Sequence, residues 1–183
     1  MGYFMISEKL KLDDIDRQII SLVQEDPNLT HTQIAEKIDR SQPTVGMRIK
    51  KLEKAGVLQF QPGINFKVVD LFLATVEINT KNPEPVMEMG KCCPFVLNAF
   101  RLSGGHNMCV LLASSKLHKL DAIVNYHFRK NSDVSSVSME IVTDIAKDFI
   151  LPIDFDSEHH EPNEEEGCGE KCKVLLAKKS GIL

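Results

Sequence analysis

The sequence predicts an α+β chain: an N-terminal tri-helical unit of helix-turn-helix order, winged by a short strand, then a ferredoxin-like βαββαβ unit. Three observations carry that prediction. Apolar residues recur at helical spacing in three short segments ahead of Val57. The pattern switches to two-residue alternation from about Val68. Strand and helix signals then follow in the order strand, helix, strand, strand, helix, strand, the split βαβ arrangement. The expected division is a helix-turn-helix over 8–60, a hinge over 61–67, the ferredoxin-like unit over 68–153 and an acidic tail over 154–183.

In the first helix Leu12, Ile15, Ile19, Leu22 and Val23 share one face, and Asp13, Asp14 and Asp16 crowd the first turn, where the helix dipole favours anions. Asp26-Pro27-Asn28 ends it. Thr30 and Gln33 have capping-box spacing and open a short second helix with Ile34, Ala35 and Ile38 inward. After a turn at Asp39-Arg40, Ser41 is a good N-cap and Pro43 falls in the first turn, where a missing N–H costs nothing. Val45, Ile49 and Leu52 mark the buried stripe of the third helix, and Gly56 is suited to a left-handed cap. Val57 to Phe60 reads as a strand.

In the second unit, Leu71, Leu73, Thr75 and Glu77 alternate with Phe72, Ala74, Val76 and Ile78 along a strand from Val68 to Ile78. A helix is expected from Asn82 to about Lys91, then strands from Pro94 to Leu102 and Asn107 to Ala113. A helix from Ser115 to about Arg129 and a strand from Val134 to Val142 complete the unit.

Composition bounds the function. The 183 residues are 43% hydrophobic, enough for a substantial core, but only 6% aromatic with no Trp, so Ile, Leu, Val and Met must build it. No run of about 18 apolar residues occurs and the N-terminus lacks a secretion-signal pattern, so a cytoplasmic protein without membrane partners is expected. Net charge is −4, yet the acidic excess lies beyond Pro152, densest at Glu164-Glu165-Glu166. Between Arg40 and Lys54 there are five basic residues and one acid, Glu53. A local basic face, not the total charge, decides binding to phosphates.

With Val45, Ile49 and Leu52 inward, the opposite face of the third helix holds Pro43, Met47, Lys50 and Lys54, flanked by Thr44, Arg48 and Lys51. In a helix-turn-helix this face enters the major groove of double-stranded DNA. Arg48 is the best candidate to read a base, because its planar fork can bond guanine twice. Gln42 and Thr44 suit bases or phosphates. Lys50, Lys51 and Lys54 suit phosphates, and Thr30 joins the set from the preceding helix start. Gly46 is poor for a helix interior, and close approach to a partner surface would explain it. The bland alternative is a solvated basic helix face.

On these residues the chain resembles the Lrp/AsnC family of regulators. The carriers are Leu12-Asp13-Asp14-Ile15-Asp16-Arg17-Gln18-Ile19-Ile20, Gln33-Ile34-Ala35, and Arg48-Ile49-Lys50-Lys51-Leu52-Glu53-Lys54-Ala55-Gly56-Val57-Leu58. Element order extends the resemblance over about residues 8 to 153. It implies homodimers through paired sheets, often assembled into octamers, that bind palindromic operators and respond to a small effector such as an amino acid. Family effectors bind at the turn after the second strand of the ferredoxin-like unit, here Gly104, Gly105, His106 and Asn107. The family's usual glycine and aspartate are replaced by His106 and Asn107, which argues against an ordinary amino-acid effector. The architecture is also similar to sirohaem-decarboxylase subunits, an enzymatic alternative in which Arg101 or His106 would hold tetrapyrrole carboxylates. No nucleophile–base pair or phosphate loop favours catalysis otherwise, so a non-enzyme is expected.

The tail adds His159, His160, Cys168 and Cys172 beyond the family pattern, in a stretch whose low apolar content suggests mobility. Cys168 and Cys172 could converge on one thiolate-bound metal, zinc among them, but a tetrahedral site needs four ligands. His159, His160, Cys92, Cys93 or a second subunit would complete it. A thiol switch helped by Lys171 and Lys173 is the other reading, and two inert thiols the bland one. Cys109 reads as a small buried residue, and His31, His118 and His127 as surface or capping residues.

Overall fold

The computed structural model describes residues 10–169 with Cys172 and Val174. The chain divides after Gln61 into two compact units.

Three helices build the first: α1 (Asp14–Glu25), α2 (His31–Ile38) and α3 (Gln42–Lys54). Each starts on a side-chain cap. Asp13 with Asp16, and Thr30 with Gln33, form reciprocal capping boxes, and Ser41 accepts from the Thr44 N–H. Asp39 carries the α2–α3 turn in the left-handed region at φ 52°, a conformation that Asp tolerates better than most residues. Ile19, Val23, Ile34, Ala35, Val45, Ile49, Leu52 and Leu58 form the core. Burial of Val45, Ile49 and Leu52, at about 1.5–3 kcal/mol each, outweighs the roughly 1 kcal/mol helix penalty of Gly46.

Gly56, at φ 69°, ends α3 as expected, and the Val57 N–H turns back to the Leu52 carbonyl at 3.0 Å. That bond corrects the expected strand at Val57–Phe60. Val57 and Leu58 both donate to the Leu52 carbonyl, Leu58 buries into the helical core, and no ladder forms there. A two-residue strand comes later, β1 (Ile64–Asn65), inside the segment expected to be a hinge, and pairs antiparallel with β6 (Ile150–Leu151).

In the second unit β2 (Phe72–Thr80), α4 (Glu84–Cys92), β3 (Val96–Arg101), β4 (Met108–Ser114), α5 (Leu117–Val124) and β5 (Val134–Ile141) follow in the predicted order. The sheet is antiparallel in every pairing, ordered β3-β4-β2-β5. On β2, Ala74, Val76 and Ile78 are fully buried with Val110, Leu112, Leu120 and Ile123 beneath the helices. The alternate residues point to the other face, where Phe66, Leu73 and Ala113 make a smaller cluster. Beyond Val124 the helix widens into a π-helical turn, Asn125–Arg129.

The tail is the main departure from expectation. Phe155–His159 forms a 3-10 turn, His160, Pro162 and Gly167 are buried, and Cys172 and Val174 join the helix-covered core. Its acidic residues meet partners on and around α5. Lys119, only 4% exposed, donates to the His160 carbonyl at 2.7 Å and pairs with Glu161 at 3.0 Å. Asn125 donates to Glu164 at 3.0 Å, and Lys130 donates to the Glu164 carbonyl. Those ion pairs and hydrogen bonds, with a few buried side chains, replace the apolar content whose scarcity suggested mobility. Lys171 and Lys173 lie outside the described residues.

Gly167 sits at φ 60° with the Tyr126 ring 2.6 Å from where a Cβ would stand. Gly167→Ala should therefore cost at least the roughly 1–2 kcal/mol of a left-handed non-glycine. The expected outcome is faster limited proteolysis after Pro162 with little change in far-UV circular dichroism; unchanged cleavage would show that the segment does not depend on this contact.

Candidate nucleic-acid interface

The inward stripe of α3 fixes what its other side shows. Gln42, Pro43, Met47, Lys50, Lys51 and Lys54 are exposed and Thr44 is half-buried. Met47, at 67% exposure, is a large apolar side chain in the middle of a charged helix face, which suits a thymine methyl or a sugar edge. No acidic residue lies in the first turn of α3, and Lys51 and Lys54 lie in its last. The Thr44 hydroxyl is 2.7 Å from that of Ser41, and the Thr30 hydroxyl donates to Gln33 at 2.9 Å. Both therefore hold helix starts while remaining at the surface.

Arg48 is engaged within the tri-helical unit. Its Nη1 donates to Asp16 at 2.9 Å and to Asp13 at 2.5 Å, so the expected base reader is bound to the start of α1. Asp16 is 1% exposed, and a buried carboxylate needs a partner. The clamp has two effects: it ties α3 to α1, and it offsets acidic charge that would repel phosphate beside the basic face. Within the unit, the close neighbour of Gly46 is the His31 imidazole, 3.3 Å from a Cβ position.

The turn at Gly104–Asn107 is partly committed to the fold. Asn107 closes the end of the β2–β4 ladder: its Nδ2 donates to the Thr80 carbonyl at 2.7 Å and its Oδ1 accepts from the Thr80 N–H at 3.0 Å. His106 Nδ1 is 2.9 Å from Glu77 Oε2. Gly104 and Gly105 face open space, so neither is glycine because of a close neighbour. Arg101 is likewise paired, with Glu84.

The Cys and His residues separate into two groups. Cys93, Cys168 and Cys172 gather in the helix-covered core, and His127, expected at the surface, has its Nε2 4.0 Å from Cys172 Sγ. Burial pushes the Cys93 thiol up to about 12. Hydrogen bonding to Cys172, then burial, raises that of Cys168. His159 is exposed, and Cys92 bonds to the Glu88 carbonyl at 3.4 Å. His160 is buried, its Nε2 3.3 Å from Asp156 and its Nδ1 without a hydrogen-bond partner. Among the described residues no three His, Cys, Asp or Glu side chains already stand at the spacing of a bound metal. Also among them, no helix is long and apolar enough to cross a membrane.

A tri-helical unit with a basic third helix, followed by a ferredoxin-like sheet, defines a helix-turn-helix regulator. Residues 12–59 match the family model for winged helix-turn-helix DNA-binding domains. An uncharacterized HTH-type transcriptional regulator of Pyrococcus horikoshii is 30% identical over 146 residues, spanning 77% of this chain and 92% of that protein. The HTH-type transcriptional regulator LrpA of the same organism is 26% identical over 140 residues, 74% of this chain and 99% of the other. Among solved structures, E. coli AsnC matches in fold with a TM-score of 0.60 at 17% identity, over 75% of this chain and 97% of that one. The chain belongs to the Lrp/AsnC family of transcriptional regulators.

Arg48→Met should lower the stability of the first unit by about 1–3 kcal/mol, the cost of stranding a buried acceptor. Arg48 also holds the Asp13 carboxyl below its usual range. A lowered folded value contributes stability that is complete above about pH 4 and disappears as pH falls through the folded value. The gap between wild type and Arg48→Met in thermal melts should therefore narrow on acidification below about pH 4; a gap independent of pH would reject the clamp.

Proposed function

We propose that this regulator binds operator DNA sequence-specifically as a homodimer or larger assembly, with α3 in the major groove and a small effector adjusting the spacing of its two helix-turn-helix units. The observation that carries this is the exposed face of α3. Gln42, Thr44 and Met47 lead it, Lys50, Lys51 and Lys54 follow, and Arg48 is directed away to Asp13 and Asp16. Lysines on phosphates supply affinity, and the uncharged residues at the helix start supply discrimination. Two-fold pairing suits a palindromic site. In support, Phe100 is 44% exposed on the sheet face away from the helices, in register with Cys109, Glu77 and Ser138. An effector at the Gly104–Asn107 turn would have to coexist with the His106–Glu77 pair, which favours a polar ligand able to bond both. One matched fold, a Neisseria meningitidis regulator at a TM-score of 0.66, is described as an L-Met complex, which supports effector control of this chain.

The decarboxylase alternative gains nothing from the site, since Arg101 and His106 each already face a carboxylate. The relatives reported above are named as transcriptional regulators.

Selection of duplexes from a random library, followed by salt titration, tests the reading. Lys51→Ala and Lys54→Ala should each weaken binding to all sequences and reduce the salt slope by about 1. Met47→Ala and Gln42→Ala should change the selected sequence instead. Recovery of no enriched motif by the wild-type protein would end the sequence-specific reading. Phe100→Asp should convert the assembly to monomers by sedimentation; unchanged mass would remove the sheet face as the dimer surface.

A further inference from the structure

We propose that His31 is a further DNA contact, a side chain of α2 that holds a backbone phosphate as the imidazolium and so makes operator affinity depend on pH. This role rests on α3 being the groove-facing helix, and it adds a residue that the sequence suggested only as a surface or capping group. His31 is the first residue of α2, directly after the Thr30 cap, and it is half-buried. A Cβ at Gly46 would stand 3.3 Å from its Nδ1 and 3.7 Å from its Cε1, so the ring lies against the backbone of α3. Apart from residues 45–47 and the backbone of α3 itself, no other described atom comes within 4 Å of that point.

Gly46 borders the exposed face of α3. Gln42 and Pro43 stand one turn before it and Lys50 one turn after, and all three are exposed, as is Met47 beside it. The His31 ring therefore sits at the edge of the surface these residues form, brought there from the preceding helix. A glycine inside a helix costs roughly 1 kcal/mol relative to alanine, and the space it leaves is where the ring packs. Among the described residues His31 makes no hydrogen bond and no ion pair. Neither of its ring nitrogens is sealed from solvent. Two unpartnered, reachable nitrogens thus stand beside the basic face.

Such a ring suits a phosphate. An imidazolium donates from both nitrogens and carries a charge, whereas the neutral ring has one donor. Imidazoles change charge between about pH 5 and 8, and an anion beside one favours its protonated form. The protonated ring binds phosphate more tightly, so affinity rises as pH falls through the imidazole range and declines as pH rises through it. The surroundings leave that place to an anion from outside. The first turn of α2 holds no acid. From α1, Asp13 and Asp16 are taken up by Arg48 of α3, and the next charge along α3 is the exposed Lys50.

Fluorescence anisotropy of a labelled duplex carrying the selected motif, titrated with the full chain at about pH 6 and about pH 8 over a range of salt, tests this role. The wild type should bind roughly two- to fivefold more tightly at the lower pH for each helix-turn-helix unit engaged. Its salt slope should be steeper there by about 0.9 per unit, the mark of one more neutralised phosphate. His31→Ala should behave at both pH values as the wild type does at the higher one, and should select the same motif, because a phosphate contact carries no sequence information. His31→Lys, charged throughout, should keep the steeper slope at both. A wild type indifferent to pH, or a His31→Ala variant with undiminished pH dependence, overturns the role of His31 and leaves α3 as the reading helix. A changed motif in His31→Ala overturns the phosphate contact. A wild type that binds no duplex at either pH overturns both readings together. The wild-type and His31→Lys slopes decide the matter by themselves if circular dichroism shows His31→Ala unfolded.

Discussion

The two-residue period of β2 governs the arrangement of the second unit. Because β2 pairs with β4 on one side and β5 on the other, it has no free edge, and its side chains must divide between two faces. Ala74, Val76 and Ile78 go to the helix side and are completely buried. Leu73 goes to the opposite side, with Thr75 and Glu77 farther along it. A slip of one residue would exchange the two sets and place Glu77 beneath the helices. Register therefore fixes which face α4, α5 and the extension can cover, and which face keeps Phe100 in solvent.

The same logic acts on α3 with a period of 3.6. Burying Val45, Ile49 and Leu52 decides that Met47, Lys50 and Lys54 stand outside. Arg48 lies at the margin between these faces, where rotation alone does not determine its partner. Asp13 and Asp16 do. They cap α1 through its backbone and also hold the guanidinium. One pair of carboxylates thus starts a helix, orients its neighbour and is itself partly neutralised beside the basic face.

Much of this was legible in the chain. The Thr30–Gln33 capping box, the Ser41 cap with Pro43 in the turn behind it, the Gly56 stop and the alternation along β2 are local signals, and each acts within a few residues of itself. The pairing of Arg48 with Asp16 and Asp13 was not legible because those partners lie 32 and 35 positions away, beyond any local pattern. The expected strand at Val57–Phe60 failed because its apolar residues serve the helical core instead. The extension was misjudged because low apolar content was read without Lys119 of α5 and Lys130 beyond it, which its polar groups meet.

Sequence by itself determined the element order, the inward stripes, and the separation of a basic third helix from an acidic end, since each depends on covalent neighbours and residue type. Tertiary structure decided the direction of Arg48, the neighbour of Gly46, the docking of the extension and the company of Cys172. Those depend on distant segments meeting in space, where burial forces each charged or polar group to find whatever partner the fold supplies. His127 shows the difference: alone on a helix end it signals nothing, and only the folded extension brings the Cys172 thiol to within 4.0 Å of it.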